Sequence, residues 1–144
     1  MIRATMALVL GVSSIGAMAQ MTPVGLWKTI SDKDGSTTSE VRIVDTAGVI
    51  SGKIERRLDP KAKPDDLCTE CSDDRKGKPI VGLEIIRGAK KESGKEVWES
   101  GKILDPANGK NYTLRLTPIE GGKKLEVRGS VFGIGRTQTW VRAQ

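Results

Sequence analysis

Cys68-Thr69-Glu70-Cys71 is the pair of side chains in this sequence best placed to do chemistry. Two thiols at that spacing have three uses: a disulfide closing a four-residue loop, a redox dithiol, or half of a tetrahedral zinc site. A redox pair needs a lowered thiol pKa. Here Asp65, Asp66, Glu70, Asp73 and Asp74 crowd the site, and their charge opposes thiolate formation. Zinc needs two more ligands, and the chain has no other cysteine and no histidine. The favoured reading is a structural disulfide, worth roughly 2 kcal/mol for so short a loop. The acidic cluster has oxygens for a hard cation. Its spacing does not follow an EF-hand, and Arg75, Lys76 and Lys78 follow at once, which favours a solvated charged loop. The expectation is no metal and no cofactor.

The absence of histidine also removes imidazole acid–base chemistry and Ser–His or Cys–His nucleophile pairs. No spacing of Tyr, Arg and carboxylates argues for another catalytic site, so the expectation is a protein that is not an enzyme. Gly133-Ile134-Gly135 looks faintly like a phosphate loop, but no helix follows it to present an N-terminus. Its glycines fit a bulge or a tight corner better. Phe132 and Ile134 are expected to pack in the core in preference to forming an apolar lip.

The elements that must hold these residues read as strands. Lys95 to Leu116 forms a hairpin around Asp105-Pro106-Ala107-Asn108-Gly109. Pro106 presets φ, and Asn108-Gly109 tolerate positive φ. After the turn, Tyr112, Leu114 and Leu116 alternate with Thr113, Arg115 and Thr117, the period-two pattern of a half-buried strand. Similar patterns run over Gly25–Thr29, Glu40–Val44, Ile50–Glu55, Val81–Arg87, Leu125–Arg128 and Arg136–Arg142. Along Val97 to Leu104 neither face is cleanly apolar. Gly129–Gly135 reads as a glycine-rich connection, and Arg56–Pro79 as a long loop with three prolines. Eight strands joined mostly by short turns point to an all-β, eight-stranded antiparallel up-and-down barrel with a long disulfide-pinned loop after strand 3. Ile50, Ile54, Trp98, Tyr112, Leu114, Leu116, Leu125 and Val127 are the candidate interior, ligand-lining residues.

Residues 1–19 carry Arg3, an apolar run from Met6 to Ile15, and Ala17-Met18-Ala19. That is the layout of a signal peptide cleaved before Gln20, too short to span a bilayer well. Residues 20–144 then form one domain, periplasmic or secreted, with no transmembrane segment. Of the chain's 24 Lys+Arg only Arg3 lies in the leader, so the mature part has 23 against 18 Asp+Glu. A modest basic excess favours anionic partners such as a cell-envelope component or an anionic amphipath. Nucleic acid is not expected: the chain has few aromatics for stacking and no dense Lys/Arg stripe.

Two resemblances add to this. Gly25-Leu26-Trp27 on the first strand with Arg142 on the last resembles the lipocalin signature, in which an arginine packs on a first-strand tryptophan and closes the barrel floor. More of the chain resembles the small exported bacterial proteins of the domain-of-unknown-function 2147 family. The matching residues are Gly25-x-Trp27, Gly52-Lys53-Ile54, Cys68-x-x-Cys71, Trp98-x-x-Gly101-Lys102-Ile103, Asp105-Pro106-x-Asn108-Gly109-Lys110-x-Tyr112, Leu125-x-Val127-Arg128-Gly129 and Arg136-Thr137-Gln138-x-Trp140-x-Arg142. That resemblance implies a lipocalin-like barrel outside the cytoplasm and no established activity. Together these readings favour a barrel that binds a small hydrophobic or amphipathic ligand. The alternative is a filled-core module that binds a protein or envelope component.

Overall fold

The computed structural model describes residues 21–143, so the expected leader 1–19 lies outside the described residues. Eight strands follow one another: β1 (Gly25–Ile30), β2 (Thr37–Thr46), β3 (Val49–Arg57), β4 (Glu84–Lys91), β5 (Trp98–Asp105), β6 (Lys110–Ile119), β7 (Lys124–Val131) and β8 (Ile134–Arg142). Each pairs antiparallel with the next, and β8 returns to β1, closing an up-and-down barrel. The expected strand count and order are those observed. Closure removes the free sheet edges that an open meander would expose.

Side chains in register share a face, so the pairing identifies the interior. One row runs Ile43, Gly52, Ile86, Ile103, Tyr112; another runs Trp98, Leu116, Val127, Gln138; a third runs Pro118, Leu125, Trp140. Trp27, Val41, Ile43, Ile50, Ile86, Leu114, Leu116 and Leu125 are fully buried and come from six different strands. An eight-stranded barrel is just wide enough for such side chains to meet across it. Glycines make room where neighbours are large: a Cβ at Gly52 would stand 3.2 Å from Ile86, and one at Gly129 would stand 3.2 Å from Tyr112. The outward rows are charged, as in Lys28–Glu40–Arg56 and Arg115–Arg128.

Two sequence readings are corrected and a third is explained. The expected strand from Val81 begins at Glu84, because Gly82 has φ 89° and Val81 is exposed. Gly129–Gly135 is no connection. β7 and β8 run through it, and only Phe132-Gly133 turns the chain. The mixed faces of Val97–Leu104 come from a bulge: the register shifts between Trp98 and Gly101, where Ser100 has φ 65°. The extra residue puts Trp98, Gly101 and Ile103 on the inner face despite their odd spacing. Leu104 points outward and is nonetheless buried.

The insertion after β3 explains that burial. It packs against the outer wall of β4–β6, where Cys68 and Cys71 are buried with Ile85 and Leu104. Among the described residues no helix is long and apolar enough to cross a membrane.

Candidate functional site: the two ends of the barrel

The barrel has unlike ends. At one, the floor, lie the N-terminal entry to β1, the 3-10 turn Glu120–Gly122 and the end of β8. The Arg142 guanidinium stands 4.2 Å over the Trp27 ring. It donates from Nε to the Gly122 carbonyl (2.6 Å), from Nη1 to the Val24 carbonyl (2.7 Å) and from Nη2 to the Thr22 carbonyl (2.8 Å). Trp27 Nε1 donates to the Pro23 carbonyl at 2.7 Å. Burial lowers the Arg142 pKa from its usual value, but the group stays charged at any physiological pH. One half-buried cation thus ties three chain segments together at this end.

Above the floor, Ile50, Ile54, Trp98, Leu114, Leu116, Leu125 and Val127 are all buried. The barrel brings these seven sequence-identified residues together as packed core. Trp98 is also faced by the Lys91 ammonium, 5.9 Å from its ring centre. Tyr112 is the exception. It is half-buried near the opposite end, and its hydroxyl accepts a 3.0 Å hydrogen bond from Asn108 Nδ2.

That opposite end, the mouth, is framed by the β1–β2, β5–β6 and β7–β8 turns and by the insertion. Thr29 Oγ1 lies 2.6 Å from Thr38 Oγ1 and 2.8 Å from Ser39 Oγ, a cluster of shared hydroxyl hydrogen bonds. β1 and β8 pair only at Trp27–Arg142 and Lys28–Val141. Beyond that seam Asp32 bridges the strands, meeting Arg136 at 3.2 Å and Gln138 at 3.3 Å. Asp34 in the same turn has its pKa lowered by hydrogen bonds from the Ser36 hydroxyl and backbone amide. The β7–β8 turn then projects Phe132 (99% exposed) and Ile134 (83%), with Val131 half as open. The expectation of core packing for Phe132 and Ile134 is therefore overturned. With φ 52° at Phe132 and 77° at Gly133, the turn is a two-residue hairpin that points its first side chain away from the barrel.

Cys68 and Cys71 form the disulfide, with Cα atoms 5.5 Å apart. The neighbouring carboxylates are held by arginines: Arg57 to Asp66 (2.6 Å), Arg75 to Asp73 (2.5 Å) and Arg87 to Asp74 (2.9 Å). Arg75 Nη1 also donates to the Glu84 carbonyl at 2.9 Å, and Nη2 to Asn111 Oδ1 at 3.0 Å. Sequence reasoning did not pick out Arg75. A lone arginine in a charged loop carries no periodic signal that it will be buried. Among the described residues no group of three or more His, Cys, Asp and Glu is placed to hold a metal ion. An open cleft of about 580 Å³ on the outer wall is lined by Lys28, Glu40, Arg42, Glu55 and Arg56. Its charges largely neutralise one another through Arg42–Glu55 (2.9 Å) and Arg56–Glu40 (2.6 Å).

Protein HP1028 from Helicobacter pylori, described as belonging to the lipocalin family, has a similar structure with a TM-score of 0.69 and 21% identity. The match covers 84% of this chain and 82% of that one, and shows a shared lipocalin-like fold. No curated protein matches the sequence. The profile of a family described as uncharacterized proteins conserved in bacteria, DUF2147, matches residues 25–142, the whole barrel from the first strand to the last. The chain belongs to that family.

Proposed function

We propose that the protein is an exported, non-enzymatic binding module that meets its partner in the cell envelope with the rim of the barrel mouth, not with a deep internal pocket. One contrast carries this reading. Fully buried side chains from six strands meet inside the barrel, while the two most exposed large apolar side chains among the described residues, Phe132 and Ile134, stand outside it at the β7–β8 tip. An apolar cluster left in water at a loop tip is a mark of an interaction surface. Export is supported by the leader-like residues 1–19 and suits a barrel that carries a disulfide.

A second reading keeps a small hydrophobic or amphipathic ligand, held in the mouth half of the interior. It is favoured by half-buried Ile103, Tyr112 and Gln138 at that end, beside the hydroxyl cluster at Thr29. Titration with palmitate, followed by tryptophan emission, separates the two readings. Trp27, Trp98 and Trp140 are all buried and report on the interior. The filled-core reading expects no saturable change. A saturable one-to-one shift in emission would replace it with the internal-ligand reading.

A further inference from the structure

We propose that the β7–β8 tip, Val131-Phe132-Gly133-Ile134, is a membrane-docking element that inserts its apolar side chains among anionic lipid headgroups. This deepens the mouth-rim reading and rests on it. Phe132 is the only phenylalanine in the chain, and it is 99% exposed. It also occupies a left-handed position, φ 52°, at the first central residue of a two-residue hairpin turn. That position favours Asn, Asp or Gly and is costly for a bulky side chain. Within the described barrel nothing covers the ring, so neither the strain nor the exposure is offset by packing.

The charges flanking the tip select the partner. Arg128 reaches toward the tip, 3.4 Å from both the Gly133 carbonyl and the Thr137 hydroxyl, and has no acidic partner among the described residues. Arg136 is 79% exposed and shares only Asp32. From Val127 to Gln144 the chain contains Arg128, Arg136 and Arg142 and no Asp or Glu. An apolar tip between cations matches the chemistry of an anionic bilayer interface, where apolar insertion and attraction to phosphate add together. The shape agrees. The tip is convex, so it encloses no small molecule. Three side chains also fall far short of the roughly 800 Å² per partner that a stable protein interface buries. The charged outer wall keeps the rest of the barrel out of the hydrocarbon, so docking is peripheral.

The test uses the full chain with vesicles of phosphatidylcholine containing phosphatidylglycerol, against phosphatidylcholine alone. The apolar run Met6–Ile15 is common to all variants, so the tip is read from differences between them. Phe132→Ser and Ile134→Ser should each weaken co-sedimentation about tenfold. Arg128→Gln with Arg136→Gln should abolish the preference for the anionic vesicles and its salt sensitivity. In Phe132→Trp, brominated acyl chains should quench the introduced indole and leave the three buried native tryptophans bright. An unquenched indole at that position overturns the proposal, as does co-sedimentation unchanged by Phe132→Ser. A dimer that Phe132→Ser converts to a monomer, without vesicle binding by the parent, assigns the tip to self-association and overturns it too. If the palmitate titration is silent in these cases, the mouth-rim reading stands and only its lipid partner is lost.

Discussion

Arg75, deep in the insertion, donates a 3.0 Å hydrogen bond to Asn111 on β6, 36 residues along the chain. The same guanidinium is 4% exposed, grips Asp73 and reaches the Glu84 carbonyl at the start of β4. One buried cation therefore nails a loop of irregular sequence to two strands of the barrel wall. Its removal leaves a carboxylate, an amide and a carbonyl without their donor.

Arg75→Ala should cost about 3 kcal/mol, measured as a shift of the urea midpoint. Arg75→Lys should recover little of it, since an ammonium lacks the planar fork that spans three acceptors. The double variant Arg75→Ala with Asn111→Ala should cost less than the sum of the two single changes, because the pair acts as one unit.

Gly109 closes the β5–β6 turn with φ 72°, and a Cβ there would collide with the Glu70 carbonyl of the disulfide loop. Gly109→Ala should destabilise by about 2–4 kcal/mol and loosen the insertion. Hydrogen exchange should show faster exchange at the Cys68 amide, which bonds the Lys78 carbonyl, and at the Gly77 amide, which bonds the Cys68 carbonyl. Slow exchange retained at both would show that the loop docks independently of the turn.

Replacing Cys68 and Cys71 together with Ser removes a short cross-link and two buried sulfurs that pack beside Leu104. The loop-entropy part alone is about 2 kcal/mol. The barrel should still fold, since its strand pairing does not depend on the loop. The melting temperature should fall, with near-ultraviolet circular dichroism of the three tryptophans retained.

Arg142→Lys should behave unlike a conservative change. Lysine keeps the charge over Trp27 but cannot donate in three fixed directions to Gly122, Val24 and Thr22. A loss of about 2–3 kcal/mol is expected. Trp27 emission should shift to the red as the floor opens to water.

The pH dependence should be flat through neutrality and fall only in acid. There is no histidine, the side chain that ordinarily titrates near pH 6.5. Asp66 is held below the usual carboxylate range by the Lys63 backbone amide and then by Arg57, Asp73 by Arg75, and Asp74 by Arg87. A folded-state pKa below the unfolded one means that the unfolded chain binds more protons in acid. Stability from these pairs is thus full above about pH 4 and drains away as pH falls through the lowered values. All three acids lie in the insertion. Hydrogen exchange at about pH 3 should therefore show that segment opening before the barrel does.

The sequence by itself determined the barrel. Alternation at i, i+2 is set by neighbours, so Tyr112–Leu116 and Leu125–Val127 declare their faces without reference to distant residues. The Asp105–Gly109 turn and the Cys68-x-x-Cys71 pair were legible for the same local reason, since each is a short motif, whereas the Trp27–Arg142 contact was implied by the resemblance of Gly25-x-Trp27 and Arg142 to the lipocalin signature. Tertiary structure decided the rest. The bulge at Ser100 rotates Trp98 onto the face of Gly101, which alternation alone assigns to opposite sides. The burial of Leu104 and Arg75 depends on where an irregular segment docks, a long-range packing choice that no local period encodes. The exposure of Phe132 depends on a two-residue turn aiming it outward, where composition alone assigns a phenylalanine to the core.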